Sequence, residues 1–572
     1  MGQISGAQLV GKALKNENVK YLFALCGGNV PIFDACIDEG ISVIDVRHEQ
    51  AAVNMAHAWA LLTGEVGVCS AQEAPGVANM FPAIQHAWLE RVPIVMLVTS
   101  TPTSSAEKLE FHEFNAIDVV KPMTKWCLRT PYTPRLAEYA NQAFREAASG
   151  RPGPVLLDFP MDILISSVDE ENPDVKIGLT PHGHRTKIRP CGDLAAIRKA
   201  LDTLLKAERP LIIVGWGAVP AQEEILKFVE LTKIPIIPNG PMGFIASDDP
   251  LSAFFGAITG IERGVYAQVD VVMIVGNRIN DWIGYCLPPV FDENIKVIQV
   301  DIHPEEIGRN RPIDIGIVGD SKSVMSQFLD LAKELLKKPR KKKYAWLKKL
   351  EEIKKEVEQS RSEEALTEGS EQILPQRLRK EVNETLTPDT VFLLDGGDAT
   401  FWSIDYIKSF GKVRKYIICP GTHSGHLGAC VPFAISAKLA YPDDKVLSIT
   451  GDGSFLFNAV ELDTARRHNT PFVIVVDNNC SWGMVFVTQE MTYGRTIGTE
   501  LSPTTRYDKL AESFDCYGEL VTDPTEIKPA IKRAFDSGLP AVLDVRTKRV
   551  PHPVNYLLAA LSGPENLPFK YV

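Results

Sequence analysis

No run of about 18 apolar residues occurs in the 572-residue sequence, so no membrane-spanning helix is expected. The N-terminal MGQISGAQLVGKALK has the spacing of an amphipathic helix and lacks the basic stretch and apolar run of a secretory leader. Ten cysteines, at 26, 36, 69, 127, 191, 286, 419, 430, 480 and 516, never form a C-x-x-C pair, and so long a chain has no need of disulfide staples. They read as reduced, mostly buried thiols, and the expected location is cytoplasmic. An excess of positive charge is also missing. Lys plus Arg is 61 against 72 for Asp plus Glu, and the formal −11 opposes binding to a phosphate backbone. The reading is therefore no nucleic acid and no membrane. A complete G-x-G-x-x-G fingerprint is absent, which counts against a nicotinamide-dependent dehydrogenase or a nucleotide sensor. No short fixed repeat appears, which excludes solenoids and propellers.

What is present is material for several cores, with 45% hydrophobic and 23% charged residues. Short β-rich runs alternate with helical patterns in three stretches, which predicts an α/β fold of three successive doubly wound parallel-sheet domains. The first, residues 1–175, carries KYLFAL, ISVIDV, EVGVCSA, VPIVMLVTS and GPVLLDF. The second, 190–335, carries PLIIVG, IPIIPN, VDVVMIVG and KVIQVDI. A charged stretch at 336–371 reads as a solvated helical linker, and its basic run Lys337–Lys343 is followed by balancing glutamates. The third domain, 372–550, carries TVFLLDGG, KVLSITGDG, FVIVVDNN and AVLDV. A tail at 551–572, broken by Pro551, Pro553 and Pro564, reads either as a lid or as a docked structural segment.

The most specific feature is KVLSITGDGSFLFNAVELDTARRHNTPFVIVVDNNCSWGMV. One apolar strand ends at Gly451-Asp452-Gly453, a helix pattern runs from about Phe455 to His468, and a second strand ends at Asp477-Asn478-Asn479. Both polar clusters then sit at the carboxyl ends of parallel strands, where α/β sheets bind ligands. One carboxylate and one amide oxygen converging there suit a hard Mg2+ or Ca2+ ion. The flanking glycines admit close backbone approach, and the following helix start favours phosphate. Taken alone, G-D-G is equally a tight turn; the 24 residues separating Gly453 from Asn478 in a strand-helix-strand context change that balance.

This unit resembles the signature of the thiamine diphosphate enzymes, and the whole chain is similar to the acetolactate synthase, benzaldehyde lyase and 2-hydroxyacyl-CoA lyase group. The resemblance implies an aminopyrimidine-binding first domain, a nucleotide-binding-like middle domain and a third domain for diphosphate and Mg2+. Asp452, Asn479 and the main-chain carbonyl of Ser481 would hold the metal. Gly451, Gly453, Ser454, Trp482, Gly483 and Met484 would contact thiamine diphosphate, with Gly397, Asp398 and Ala399 at its diphosphate and Leu427 as the apolar wedge. In ISVIDVRHEQAAVNMAHAWALLTG, Glu49 stands at a strand end and helix start, where the family places the glutamate that contacts the aminopyrimidine. A carboxyl shared with that ring nitrogen promotes proton removal from the thiazolium carbon. The family also joins these two halves across subunits, implying a homodimer or homotetramer with active sites between subunits.

Departures from the relatives shape the expected pocket. Asn280-Asp281 is followed by Trp282 where acetolactate synthases carry an arginine, which removes a bidentate carboxylate clamp. Thr488 stands where they carry a tryptophan after G-M-V. Asn29 lies near the position of the active-site histidine of benzaldehyde lyase, and Met161 replaces an aromatic wall residue. Phe111-His112-Glu113 replaces F-Q-E, and Gln72-Glu73-Ala74 replaces a run of small residues. Glu73, Phe111, Met161, Met484 and Thr488 are the expected pocket residues. His112, His423 and His426, with Asn29, are candidates for catalysis, and a hydrogen-bonded structural histidine is the alternative for each. In the middle domain the resemblance leaves FAD or ADP open, with Asp301 toward a ribose and Asp320 toward an adenine. The expected activity is a carbon–carbon lyase or carboligase acting on a 2-hydroxycarbonyl bond of aldehyde or 2-hydroxyacyl substrates. An acetolactate synthase-like carboligase or decarboxylase of 2-oxoacids such as pyruvate is the alternative.

Overall fold

The computed structural model describes residues 2–339 except 182 and 187, and then 345–366, 372–407 and 415–556. Three all-parallel sheets follow one another along the chain. In the first, the strands run Ser42–Asp45, Tyr21–Ala24, Gly67–Gln72, Ile94–Ser100, Val155–Pro160 and Trp126–Arg129 in spatial order. The inner strands Ile94–Ser100 and Val155–Pro160 are buried along their whole length, as a sheet covered by helices on both faces requires. The middle sheet orders Ile236–Pro238, Pro210–Val214, Val271–Val275, Lys296–Asp301 and Ile315–Val318. In the third the order is Lys415–Ile418, Thr390–Leu394, Lys445–Gly451, Val473–Asn478, Ala541–Arg546 and Tyr517–Val521. A two-stranded antiparallel pair, Gln3–Ser5 with Ser167–Asp169, ties the N-terminus to the end of the first domain.

The first and third domains share a core. Helix Glu49–Thr63 packs along helix Cys430–Ala440, and Met55, Trp59, Phe433 and Phe455 belong to one buried apolar cluster. Helix Glu49–Thr63 also lies hard against its own sheet, where a Cβ on Gly67 would stand 2.0 Å from the Ala56 carbonyl oxygen.

Two expectations need correction. The linker is helical over Ala345–Leu366, but it is not simply solvated, since Trp346, Leu347, Leu350, Val357 and Ala365 are buried. Its Trp346 indole N–H donates to the Pro210 carbonyl, 3.2 Å away, fastening the helix to the middle sheet. After Gly451 the helix does not run continuously to His468. It starts at once as Asp452–Phe455, stops where buried Asn458 donates from Nδ2 to the Gly428 carbonyl at 2.8 Å, and resumes as Leu462–Arg467. The basic stretch 340–343 and the tail beyond 556 lie outside the described residues. Among those described, no helix is long and apolar enough to cross a membrane.

Candidate active site

Strands Lys445–Gly451 and Val473–Asn478 are neighbours, with Gly451 opposite Asp477, so their two polar ends meet. Asp452 Oδ2 accepts from the Ser481 N–H at 3.2 Å, and Asn479 Oδ1 accepts from the Ser481 hydroxyl at 2.8 Å. The adjoining strand Thr390–Leu394 leads into helix Asp398–Tyr406, which brings Asp398 to the same place. A cavity of about 590 Å³ opens over these strand ends. Every cofactor candidate of the third domain lines it, from Gly397, Asp398 and Ala399 through Leu427, Gly451 to Ser454 and Asn479, to Ser481, Trp482, Gly483 and Met484. Gly453 is a position of close approach, since a Cβ there would stand 2.6 Å from the Trp482 ring.

The electrostatics call for a cation. Burial, with Asp477 beside it, pushes the Asp452 carboxyl up to about 7. Burial and Asp477 raise Asp398 to about 7 as well, and its Oδ1 has no hydrogen-bond partner. The guanidinium in this cluster, wholly buried Arg379, is paired with Asp477 at 2.6 Å. Three carboxylates against one guanidinium leave negative charge uncompensated, a costly arrangement in a buried site. The Asp452 carboxylate, the Asn479 amide oxygen and the Ser481 carbonyl are the hard donors that Mg2+ prefers, so these residues fit the implied metal. Asp395 accepts N–H groups of Gly396, Gly428 and Cys430, which pins the loop carrying Leu427.

Glu49 is not among the residues lining this cavity. It is buried at the start of helix Glu49–Thr63, and Asn79 donates to its Oε2 at 2.9 Å. Oε1 faces Gly76, where an added Cβ would be 3.5 Å away. His112 pairs with Gln72, and its neighbour Phe111 is 82% exposed in the single chain. Glu73 turns away into its own domain, toward Asp158. Burial first, and Asp158 second, raise it to about 7, and the Thr101 N–H donates to it at 3.2 Å. Met161 opens the short helix Met161–Ile165 at the end of strand Val155–Pro160.

Asn29, His423, His426 and Thr488 do not line this cavity. Asn29 is wholly buried, its Oδ1 accepting from the Gly27 N–H at 3.0 Å and its Nδ2 donating to Ser70 Oγ at 2.9 Å. Its amide organises the loop after strand Tyr21–Ala24. Gly425 and Leu427 line the cavity, but His426 points into the core between domains, within reach of Gln50 and Asn54. There it stacks on His86 at 4.8 Å, and His86 meets His57 at 4.2 Å. Burial lowers His426 to about 4, so it is neutral near pH 7. His423 faces a different cavity, and burial, Arg278 and Arg91 lower it to about 3. The Thr488 hydroxyl turns back to the Met484 carbonyl of its own helix at 2.8 Å.

That other cavity, about 430 Å³, lies at the carboxyl ends of the middle sheet and is closed by the first domain. Arg91, Arg151 and Arg278 line it, as do Asp301 and Asp320. Arg91 keeps Nε and Nη1 buried without partners, and burial with Arg151 and Arg278 lowers it to about 10. Burial raises Asp301 to about 6, whereas Asp320 caps helix Ser321–Leu336 and pairs with Arg189 at 2.7 Å. Arg91, Arg151, Arg278, Arg379, Asp395 and Asn79 were missed by sequence reasoning. Only Asp477, directly before the two asparagines at a strand end, carried a local signal.

Residues 395–545 match the C-terminal TPP binding domain of the thiamine pyrophosphate enzymes, residues 4–119 the N-terminal TPP binding domain and residues 197–328 the central domain. The chain therefore belongs to the thiamine pyrophosphate enzyme family. It is 33% identical over 555 residues to a probable acetolactate synthase large subunit of Methanocaldococcus jannaschii, covering 95% of this chain and 92% of that one. To the acetolactate synthase isozyme 3 large subunit of Escherichia coli it is 31% identical over 556 residues, covering 94% and 93%. Within the family it is a thiamine diphosphate-dependent enzyme of the acetolactate synthase group.

Proposed function

We propose that the chain is a Mg2+- and thiamine diphosphate-dependent lyase or carboligase that cleaves or forms the carbon–carbon bond of a 2-hydroxycarbonyl compound, with a neutral aldehyde as partner. The observation that carries this reading is the lining of the 590 Å³ cavity. Among the described residues it contains Asp281, Asp398, Asp452 and Asp477 but no lysine or arginine. A divalent ion would offset the cofactor's diphosphate, and the half of the site that this cavity supplies then offers no guanidinium or ammonium to clamp the carboxylate of a second oxoacid. Trp282 cannot substitute, because its indole N–H already donates to the Thr422 carbonyl at 2.7 Å.

When bound, the cofactor makes a carbonyl carbon nucleophilic. Asp452, Asn479 and the Ser481 carbonyl would hold the metal, and Leu427, on the cavity wall, would support the cofactor. Glu49 exchanges a proton at Oε1 while Asn79 fixes Oε2. His112, which pairs with Gln72, is the imidazole we assign to proton transfer with substrate. Because Glu49 and Asp452 do not share a cavity within one chain, we assign the complete site to two copies, in a homodimer or homotetramer. The arginine-lined cavity suits a nucleotide diphosphate, FAD or ADP. A cytoplasmic setting accords with ten cysteines, all free.

The alternative, an acetolactate synthase-like enzyme of 2-oxoacids, is favoured by the full-length similarity to that group. Mass spectrometry of products from the holoenzyme given aldehydes, formyl-CoA and 2-oxoacids separates the two. Our reading requires 2-hydroxycarbonyl products from aldehydes, and their absence would overturn it.

A further inference from the structure

The cavity over Asp452 does not end at the third domain. Its far side is middle-domain, with Ile258, Ile261 and Trp282 facing Phe401 and Ile404 of helix Asp398–Tyr406. Behind this wall lies a second space of about 70 Å³. The two spaces share Asn239, Met242, Ala257, Ile261, Trp282, Phe401 and Ile404; the Asn239 amide is turned to Asn277 Oδ1 at 3.2 Å, and the large apolar side chains form the passage between them. The inner walls are chiefly Ile213, Ile237, Phe254 and Phe291, all but Phe254 deeply buried. The passage is also fixed in shape. Trp282 is anchored through its N–H to Thr422, and its ring meets Phe401 at 5.7 Å between centroids. Tyr266 stacks on Phe291 at 5.7 Å on the inner side.

An apolar space of this kind offers water few hydrogen bonds and is filled well by hydrocarbon. Moving an alkyl group into it removes apolar surface from water and restores dispersion contacts that its lining lacks. We propose that the inner space is a substrate side-chain subsite, which takes the unbranched alkyl or flat aryl substituent of a neutral carbonyl compound, with Ile261, Trp282 and Ile404 setting the accepted length. This rests on the reading of the chain as a lyase or carboligase of neutral carbonyl compounds, and narrows that class to substrates with an apolar chain directed away from the diphosphate.

The test compares straight-chain aldehydes from acetaldehyde to octanal as acceptors for the holoenzyme, with calorimetric binding of the corresponding unreactive primary alcohols alongside. We expect kcat/KM to climb about fourfold per methylene and then level off. Ile261→Phe, which fills the passage, should bring the slope of log kcat/KM against chain length toward zero and abolish saturable binding of hexan-1-ol. Ile261→Ala, a milder change, should move the plateau to longer chains. A flat profile in the natural enzyme, or a slope unchanged in both variants, would overturn the subsite. Hexan-1-ol binding that Ile261→Phe abolishes, with no aldehyde turned over, would support the subsite and overturn the functional reading instead.

Discussion

Arg379 Nη2 lies 2.6 Å from Asp477 Oδ2 with no exposure of the arginine to solvent, and Asp398 and Asp452 stand in the same buried cluster. This guanidinium is the one buried among the three carboxylates, while Arg549 reaches the Asn479 and Cys480 carbonyls from the side of the loop. Arg379→Met should destabilise the metal-free protein by about 3–5 kcal/mol, since it leaves Asp477 buried and unpaired. Arg379→Met with Asp477→Leu should recover most of that loss. Urea unfolding of the two variants without added Mg2+ checks both statements.

Metal binding should depend steeply on pH. Asp398 and Asp452 are both held up to about 7 by burial and by Asp477. The metal needs the carboxylate, so affinity should weaken by about tenfold for each pH unit below 7 per carboxyl that must ionise. Stability of the metal-free fold has the opposite dependence. Between the ordinary carboxylate range and 7 the folded state keeps protons that the unfolded chain releases, so this contribution falls as pH rises through that window. Calorimetric Mg2+ titration in the presence of thiamine diphosphate at about pH 6 and about pH 8 measures the first effect.

Glu49 is oriented by Asn79 and sits at the end of the interdomain helix, where a change of charge alone does not disturb packing. Glu49→Gln should lower kcat by roughly a hundred- to ten-thousandfold while thiamine diphosphate still binds and the far-UV circular dichroism is unchanged. Full activity in this variant would remove Glu49 from the mechanism.

The imidazole stack makes the fold sensitive to acid. Burial lowers His57 to about 3 and His426 to about 4, and holds His86 well below its usual value. The unfolded chain takes up these protons near pH 6.5 and the folded chain does not. Stability is therefore lost as pH falls below 6.5, by about 1.4 kcal/mol per pH unit for each imidazole. His86→Leu should remove one such share from the slope of stability against pH between about 6 and about 5, whatever it does to the absolute value.

Much of this was legible in the sequence because parallel strands covered on both faces read as apolar runs. KVLSITG and FVIVVDNN end at the polar residues that meet in the site. The strands without such runs, Trp126–Arg129, Ile315–Val318, Lys415–Ile418 and Tyr517–Val521, are all at sheet edges, where only part of the strand needs covering. The histidines in THSGHLG show the other limit. Gly425 and Leu427 face the cavity while His423 and His426 leave it on either side, which no periodicity announces in an irregular loop. Arg379 and Asp395 act across domain-internal distances in sequence, so no local pattern marks them.

A cavity without lysine or arginine among the residues this chain contributes, with Trp282 at its wall, should work on neutral carbonyl partners. The most direct test is to supply the Mg2+- and thiamine diphosphate-loaded enzyme with pyruvate alone and with an aldehyde alone, and to measure carbon dioxide together with the condensed product. A 2-hydroxyketone should form from the aldehyde, and little acetolactate from pyruvate. Rapid carbon dioxide release with stoichiometric acetolactate would contradict this specificity.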